Sequence, residues 1–359
     1  MSKIRIRPSW VFTTESGEAL DPQLFRILRG IHEGGKLTLA ARSAGLSYRH
    51  CWDLLGRWSR FFGTPLAHME RGRGARLTGL GEKLLWAEQR SEASLFPQLE
   101  TIASELNLEI RRALQEAQAV VRVHASHGYA IEKLPGLLAG DATTAIDLHY
   151  TSSIAAISAL SRGECELAGF HVPLGDTGRV LWEHYARWLR PRQQRIIRMV
   201  TRTQGLIVAR GNPLGIAGLA DLARPGVRFV NRQAGSGTRI LLDALLAGAG
   251  VDARAVQGYA SGEFTHAAVA AFVGSGMADC AFGIEPAARR FRLDFLPIVR
   301  ERYMLAVRRD ALRTAGVRAI IEALCSPQFP ASIAGEPGYA PDEPGTVVPL
   351  SEIFPWEAA

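Results

Sequence analysis

One loop of the sequence combines small residues with hydroxyl side chains in a position suited to binding an anion. Residues 231–239 read NRQAGSGTR and lie between an apolar strand-like stretch and a helical pattern. A helix that begins in such a loop exposes unpaired backbone N–H groups and the positive end of its dipole. The hydroxyls of Ser236 and Thr238 add neutral donors. The candidate anion-binding residues of this loop are Gln233, Ser236, Gly237, Thr238 and Arg239.

Two earlier loops repeat this arrangement. The segments ASHG at 125–128 and YTSS at 150–153 each follow a predicted strand and precede a predicted helix. Ligands of open α/β sheets bind at the carboxyl ends of the strands, so we expect the three loops to converge in one cleft. Ser126, Ser152 and Ser153 are the candidates here, and Arg202 of the segment RTQG is expected to supply a further polar group at a hinge.

Motifs for catalysis, metal binding and nucleotide binding are absent from the sequence. It contains no GxSxG, HExxH or CxxC pattern, no GxGxxG after the first strand of the α/β region and no P-loop. The four cysteines lie far apart, which indicates reduced, buried thiols rather than a zinc site or a disulfide framework. We therefore predict no catalytic residues, no metal site and no covalently bound cofactor.

The elements that must position these loops belong to an α/β region that begins near residue 120. Apolar strand-like stretches and helical patterns alternate from there onward, which predicts mainly parallel strands. About 240 residues is large for one such sheet, so we expect two lobes.

The first quarter of the chain carries the whole excess of positive charge. Residues 1–90 contain 15 Lys and Arg against 8 Asp and Glu, a net +7, whereas residues 91–359 contain 27 of each sign. A small basic segment joined to a neutral body is the electrostatic footprint of a nucleic-acid-binding domain. The charge therefore predicts a nucleic-acid partner, and together with the helix-turn-helix pattern below it makes double-stranded DNA the expected one.

Three short helices and a hairpin are predicted in this basic segment. Asp21 is the expected N-cap of the first helix and Pro22 its first residue, and Gly45 lies in the turn before the third helix. The third helix would be a recognition helix, whose first turn reaches base edges and phosphates. Its candidate DNA contacts are Ser47, Tyr48, Arg49 and His50. The hairpin around RGRG adds Arg71, Arg73 and Arg76 as phosphate or minor-groove contacts.

Residues 79–118 read as a long helix with an apolar stripe, in which Pro97 should produce a kink or a restart. Such a helix buries its stripe against a second copy, so we expect a homodimer or homotetramer with Leu95, Leu99, Ile102 and Leu106 in the interface.

No apolar run is long enough to span a bilayer, and no apolar segment follows the basic start. We therefore expect a cytoplasmic protein without a secretory signal or membrane contact.

The sequence also resembles known bacterial regulators. Residues 20–90, with LDPQLFRILRGIHEGGKLTLAARSAGLSYRHCWDLLGRW and RGRGARLTGLGEKLL, resemble the winged-helix domains of LysR-type and ModE-like regulators. The pieces ASHG, TSS, AGFH, RTQG, NRQAGSGTR and ERYMLAV resemble the periplasmic molybdate-binding-protein-like domain. The resemblance implies an α/β fold class with an N-terminal winged helix-turn-helix, a long linker helix and a C-terminal two-lobed, type II periplasmic-binding-protein-like domain.

The domain boundaries follow from this resemblance. A winged helix-turn-helix domain would occupy residues 1–81, a linker and dimerisation helix residues 82–118, and an effector-binding domain residues 119–359. One lobe of the effector domain would span about 119–202 and 299–359, and the other about 203–298. The chain would cross between the lobes at Arg202-Thr203 and at Arg300-Glu301.

The resemblance implies a transcriptional regulator that senses a small oxyanion of the molybdate or tungstate type, for genes of molybdenum enzymes such as formate dehydrogenase. Tetrahedral dianions suit a ring of neutral donors, whereas a planar carboxylate favours a bidentate arginine. Arg202, Arg232 and Arg239 keep a carboxylate effector such as formate as an alternative. An anion-binding protein without a regulatory role is a second alternative, and an enzyme has no motif in its favour.

Overall fold

The computed structural model describes residues 4–13, 17, 19–70, 74–113, 119–141, 143–175 and 177–355. These residues form two compact units. The N-terminal unit comprises Arg7–Ala93, and the C-terminal unit comprises Met1–Ile6 and Ser94–Ala359, within the described ranges. None of the helices described is both long and apolar enough to cross a bilayer.

The N-terminal unit contains three helices followed by an antiparallel hairpin. Its elements are β1 (Phe12–Thr13), β2 (Ala19–Leu20), α1 (Leu24–Gly34), α2 (Leu37–Ala44), α3 (Tyr48–Phe62), β3 (Ala67–Glu70), β4 (Gly74–Leu77) and the first part of α4 (Gly79–Ala113). The three helices and the hairpin expected from the sequence are therefore present. The first helix begins later than expected because the Asp21 carboxylate accepts a hydrogen bond from the Gln23 backbone N–H, a local turn that precedes the helix.

Close helix packing and an aromatic cluster hold this unit together. Gly30 of α1 lies so near α2 that a Cβ atom there would meet Ala40 Cα at 2.5 Å, so only glycine permits the crossing. Trp58 of α3 is fully buried, and its ring contacts Phe12, Phe25 and Phe62 at centroid distances of 4.9–6.5 Å. These packed rings fix α3 against α1 and leave the opposite face of α3 to solvent.

Helix α4 runs without interruption from Gly79 to Ala113. The restart that Pro97 could have caused does not occur, because one proline removes a single backbone hydrogen bond while the neighbouring turns keep theirs. Residues 114–118, which the sequence assigned to the same helix, lie outside the described residues.

The C-terminal unit is an α/β structure around one sheet. Its strands are β5 (Ala119–Ala125), β6 (Thr144–Tyr150), β7 (Leu167–Pro173), β8 (Gln194–Val208), β9 (Phe229–Arg232), β10 (Gly262–Glu263), β11 (Cys280–Ile284), β12 (Asp294–Arg308), β13 (Tyr339–Pro341) and β14 (Val347–Val348). Its helices after α4 are α5 (Tyr129–Leu137), α6 (Ser153–Arg162), α7 (Thr177–Tyr185), α8 (Gly237–Gly248), α9 (His266–Gly274), α10 (Glu285–Arg290), α11 (Ala315–Cys325), α12 (Gln328–Ile333) and α13 (Leu350–Ile353).

Two long antiparallel strands join the halves of this sheet. The strand order is β10-β9-β11-β8-β12-β7-β5-β6, with β13 and β14 also paired to β8. The outer strands of each half pair in parallel, whereas β8 and β12 are 15 residues each and pair antiparallel, with Glu301 opposite Arg202. The parallel strands of both halves therefore direct the loops after β5, β6 and β9 toward the middle of the unit, where β8 and β12 cross.

Candidate functional site

A cavity in the C-terminal unit gathers the loops that follow the strands of both halves of the sheet. The room inside it for the centre of a water-sized group is about 10 Å³, so the cavity suits a small ligand rather than a drug-sized one. The lining residues are Ser126, His127, Thr151, Ser152, His171, Arg232, Gln233, Ser236, Gly237, Thr238, Phe264 and His266.

Four of the described helices begin at this cavity. Helix α5 follows Ser126 and His127, α6 follows Ser152, α8 follows Ser236, and α9 begins at His266. Serine or threonine hydroxyls cap three of these helices: those of Ser152, Ser236 and Thr265 accept hydrogen bonds from the third backbone N–H of their own helix. The remaining backbone N–H groups of the first turns and four positive dipole ends meet in one place, an arrangement that favours an anion.

Arg232 adds a full positive charge to this cavity. It lies at the end of β9 and is 6% exposed. Its Nε donates to the Glu263 carbonyl oxygen at 3.2 Å and its Nη2 donates to the Phe264 carbonyl oxygen at 2.6 Å. Within the described residues, its Nη1 has no hydrogen-bond partner and no carboxylate forms an ion pair with it. Burial and the nearby Arg202 lower the pKa of Arg232 to about 9, so the side chain is charged at neutral pH.

Two buried histidines of the cavity are neutral at neutral pH. Burial lowers the pKa of His171 to about 4, and burial beside Arg232 and Arg202 holds the pKa of His266 well below its usual value. His171 lies under the first residue of α8: a Cβ atom at Gly237 would meet its Nε2 at 2.3 Å. The site therefore requires glycine at position 237 and combines one unpaired cation with neutral polar groups.

An ion pair behind the cavity joins the two long strands. The Arg202 Nε donates to Glu301 Oε1 at 2.5 Å, and Gln204 donates to the same oxygen at 2.7 Å. Arg202 and Glu301 are both 0% exposed, and the guanidinium lies 5.2 Å from the Tyr303 ring centre. Because Glu301 neutralises Arg202, the charge of this pair is balanced while that of Arg232 is not.

The structure brings six of the nine residues that the sequence assigned to the anion site to the cavity wall. These are Ser126, Ser152, Gln233, Ser236, Gly237 and Thr238. The buried hydroxyl of Ser126 has no hydrogen-bond partner among the described residues. The Ser236 hydroxyl, in contrast, donates to the Gln233 carbonyl oxygen at 2.9 Å, so its proton is already used.

The other three residues do not line the cavity. Ser153 is fully buried and lies 3.4 Å from His171 Nδ1, and Arg202 forms the ion pair behind the cavity. The side chain of Arg239 leaves the cavity because its Nε donates to Asp243 at 3.0 Å and its guanidinium stacks on Tyr259 at 3.9 Å.

Sequence reasoning left six wall residues out of the anion-site set. They are His127, Thr151, His171, Arg232, Phe264 and His266. His127 and Thr151 lie inside the hydroxyl loops, so the loop signal could have included them. Phe264 and His266 follow β10, a strand of only two residues. Such a short strand has no apolar run by which it could be predicted from the sequence. No group of three His, Cys, Asp or Glu side chains that could hold a metal occurs in the described part of the chain.

In the N-terminal unit, the residues assigned to DNA contact lie at the start of α3. Ser47 is the N-cap, and its hydroxyl accepts from the His50 backbone N–H at 3.1 Å. Tyr48 is 50% exposed and stacks on the exposed Trp52, and Arg49 is exposed beside them. The first turn of α3 therefore presents a cation and an aromatic pair to solvent.

The hairpin β3–β4 carries the remaining candidates. Arg76 is exposed on β4, opposite His68. Arg71 and Arg73, at the tip, lie outside the described residues.

The model of the PBP superfamily domain matches residues 135–325 of the chain. This range is more than half of the 359 residues and includes β8, β12 and the loop before α8. The chain belongs to the PBP superfamily. The cavity just described therefore lies in a PBP superfamily domain, with Arg232 and the start of α8 inside the matched range and Ser126 before it.

Two curated relatives share part of this chain. The uncharacterized protein YvgK of Bacillus subtilis (strain 168) is 33% identical over 199 residues, which cover 55% of this chain and 64% of YvgK. The molybdenum-pterin-binding protein MopB of Rhodobacter capsulatus is 27% identical over 165 residues, which cover 44% of this chain and 60% of MopB. The chain thus spans less than two thirds of the length of either relative.

Solved structures of similar length come from transcriptional regulators. A mutant of OxyR from Corynebacterium glutamicum with bound H2O2 matches with a TM-score of 0.44 and 14% identity, over 87% of this chain and 93% of the other. CbnR, a LysR family transcriptional regulator, matches with a TM-score of 0.39 and 17% identity, over 84% and 98%. Both TM-scores lie below 0.5, so nothing about function follows from them.

Proposed function

We propose that this protein is a transcriptional regulator of the LysR-type and ModE-like class, in which a winged helix-turn-helix binds DNA and the PBP superfamily domain senses a small oxyanion. The observation that carries the proposal is the cavity, where four helix N-termini and the unpaired guanidinium of Arg232 face one small space. The same chain carries exposed arginines on a three-helix unit with a hairpin. The protein acts in the cytoplasm, without a metal or a covalently bound cofactor and without enzymatic activity.

We propose for this regulator the domain division expected from the sequence, whereas the compact units of the structure divide between Ala93 and Ser94. Residues 1–81 bind DNA, residues 82–118 link and dimerise, and residues 119–359 bind the effector. Ser47, Tyr48, Arg49, His50 and the hairpin arginines contact the duplex. The ligand is held by the cavity residues Ser126, Ser152, Gln233, Gly237 and Thr238 together with Arg232.

A tetrahedral oxyanion of the molybdate or tungstate type suits this cavity better than a planar anion. Backbone N–H groups of four helices and the free hydroxyl of Ser126 approach from several directions, and a tetrahedral ligand presents oxygens to all of them. The partial similarity to MopB, which is named as a molybdenum-pterin-binding protein, also supports molybdate as the proposed ligand. The target genes we propose are those of molybdenum enzymes such as formate dehydrogenase.

A small carboxylate such as formate is the second candidate, because Arg232 offers a free Nη1 inside the cavity. Backbone carbonyls already occupy its Nε and one Nη2 hydrogen, which leaves only the end-on side of the guanidinium for a bidentate pair. Calorimetry with molybdate, tungstate, sulfate and formate separates the candidates. If formate binds more tightly than every tetrahedral anion, the effector is a carboxylate and not a tetrahedral oxyanion.

The regulator is a homodimer or homotetramer that pairs through α4. Of the four residues expected in the interface, Leu95, Ile102 and Leu106 are 39–45% exposed, as is Ile110, whereas Leu99 is half-buried. Leu106→Glu places a charge in this apolar row and should dissociate the dimer in sedimentation experiments, because an unpaired charge is costly to bury. Glu109→Gln, on an exposed residue nearby, is the matched control and should leave the dimer intact.

The whole proposal is tested by selecting duplexes from a random DNA library with the full chain, with and without molybdate. Enrichment of a sequence with two half-sites is expected from a dimeric winged helix. Addition of the anion should then change the affinity for that sequence more than the affinity for unrelated DNA. A library that stays unenriched under both conditions would refute the regulatory function while leaving the anion site untouched.

A further inference from the structure

The cavity has an imbalance of charge that depends on which anion enters it. The Arg202–Glu301 pair is neutral as a whole, and the Glu132 carboxylate, which is 24% exposed, lies 2.5 Å from Nε2 of the wall residue His127. Arg232 contributes one positive charge that no carboxylate pairs among the described residues. A singly charged anion beside Arg232 would make the buried site neutral. A doubly charged oxyanion would leave one negative charge uncompensated, and burying such a charge is strongly unfavourable unless a further cation appears.

Two histidines can supply that cation. His171, on β7, is 2% exposed and its Nε2 has no hydrogen-bond partner among the described residues; His266, the first residue of α9, is 1% exposed and its Nδ1 has none either. Both rings line the cavity beside Arg232. A protonated imidazole donates from both nitrogens, so protonation gains a donor as well as a charge.

The groups around these rings explain why the rings are neutral before a ligand binds. The polar and charged neighbours of His171 are Ser153 on α6, Tyr185 on α7, Arg202 on β8, Arg232 on β9, the backbone of Gly237 on α8, and Glu301 and Tyr303 on β12. Those of His266 are Arg232, Arg202, His127 and His171. Glu301, 3.9 Å from His171 Nε2, opposes the two arginines, but its charge is shared with Arg202 and Gln204.

We propose that the cavity takes up a doubly charged oxyanion together with one proton from solvent, and that His171 or His266 holds this proton. The inference rests on the proposed function, because it concerns the anion site of the effector domain. The arriving negative charge offsets the two arginines and the helix dipoles, which raises the pKa of the nearby ring. A singly charged anion such as nitrate needs no proton, so the histidines make the site sense the charge of its ligand.

Proton uptake has a defined consequence for affinity. Binding of a doubly charged anion should strengthen as pH falls, by up to about tenfold per pH unit between the pKa values of the free and the occupied site. Nitrate should bind with the same affinity throughout that interval. The histidines thereby favour dianions over monoanions increasingly toward acidic pH.

Calorimetry on the full chain tests this inference without any substitution. Molybdate, sulfate and nitrate are titrated near about pH 6, close to the ordinary histidine pKa, in buffers of different ionisation enthalpy, so that the heat reports the number of protons taken up. We expect uptake of up to one proton for molybdate and sulfate and none for nitrate. Saturable binding of molybdate or sulfate without proton uptake overturns the inference but not the proposed function. Absence of saturable binding by all three anions overturns both.

Matched variants assign the proton. His171→Gln and His266→Gln keep a polar side chain that does not titrate, and at least one of them should abolish the proton uptake that accompanies molybdate binding. His124→Gln is the control, since His124 is half-buried but does not line the cavity. Full proton uptake by the double variant His171→Gln with His266→Gln would overturn the assignment.

Discussion

Arg49 and Arg76 lie exposed on the N-terminal unit, whereas Arg202 and Arg232 are buried in the C-terminal unit. Exposed guanidiniums keep their hydration and interact with any dense row of phosphates, and salt screens that attraction. Buried guanidiniums have lost most of their hydration, so each one needs a partner of matching charge and shape. Arg202 has Glu301, and Arg232 has two carbonyl oxygens and the cavity. Under the proposed function, similar side chains would therefore serve a long polyanion in one unit and a small anion in the other.

The largest effect in this comparison is expected from the buried ion pair. Arg202→Met should lower the free energy of unfolding of the C-terminal unit by about 3–5 kcal/mol, because Glu301 would remain charged and unpaired in the interior. Urea denaturation measures the loss. The double variant Arg202→Met with Glu301→Leu should recover most of it, since both charges are then gone. If the double variant is no more stable than the single one, charge is not the reason for the loss.

Arg232 gives the next largest effect, on binding rather than on folding. Arg232→Ala should weaken oxyanion binding by about 2–5 kcal/mol, because a buried charged partner of the ligand is removed. Arg239→Ala is the matched control, seven residues further along the chain. Its guanidinium is held by Asp243 and Tyr259, so its loss should change the affinity by less than about 1 kcal/mol. Equal losses in calorimetry would place both arginines, or neither, at the ligand.

The exposed arginines should affect DNA binding without affecting stability. Arg49→Ala should lower discrimination between the selected sequence and unrelated DNA by about 1–3 kcal/mol, as expected for one base contact. Arg76→Ala should weaken binding to all sequences alike and lower the salt slope by about one. Fluorescence anisotropy at several salt concentrations measures both. If Arg49→Ala still discriminates between the selected sequence and unrelated DNA as the unchanged protein does, α3 is not the recognition helix.

The smallest effect concerns the neutral donors of the cavity. Ser126→Ala should weaken oxyanion binding by about 0.5–1.5 kcal/mol, because the unpartnered hydroxyl becomes unavailable to the ligand. Ser236→Ala should change the affinity less, because that hydroxyl already donates to the Gln233 carbonyl oxygen. It should instead lower the free energy of unfolding by about 0.5–2 kcal/mol through loss of the α8 cap. The reverse order of the two affinities would show that the Ser126 hydroxyl does not face the ligand.

Sequence alone located the loops of the cavity better than its charges. Ser152 and Ser236 could be predicted because a hydroxyl between a strand and a helix marks a helix start, and parallel strands bring such starts to one edge. Ser126 lies in a loop of the same kind, although Gly128 is the N-cap there. The sequence analysis assigned Arg239 to the anion site because it directly follows Thr238. Successive side chains of a helix point about 100° apart, so the side chain of Arg239 turns away from the cavity. Its partner Asp243 lies four residues further on, a spacing typical of a helical salt bridge that the sequence already contained.

The sequence named Arg232 only as one of three arginines that could bind a carboxylate, and it could not predict which of the three lacks a partner. The charge of Arg232 matters because its Nη1 lacks a partner, and that depends on the backbone of Glu263 and Phe264, about thirty residues away. The pairing of Arg202 with Glu301 joins residues 99 positions apart. Alternation of strands and helices fixed the α/β class, whereas these long-range pairs depend on strand register, which only the folded sheet supplies.

The pairing of β8 with β12 also sets an order for the emergence of the chain during synthesis. Residues 209–293, which include β9, β10 and β11, lie between these two strands in sequence. β7 pairs with β5, which is made before it, but finds its second neighbour only when β12 has been made, and β8 receives β13 and β14 later still. During synthesis, the half of the sheet with β9, β10 and β11 is therefore complete while the half with β5, β6 and β7 still lacks β12. The half with β5, β6 and β7 is begun first and completed last. Unpaired strand edges must be protected from misassembly until residue 348, the end of β14, has been translated.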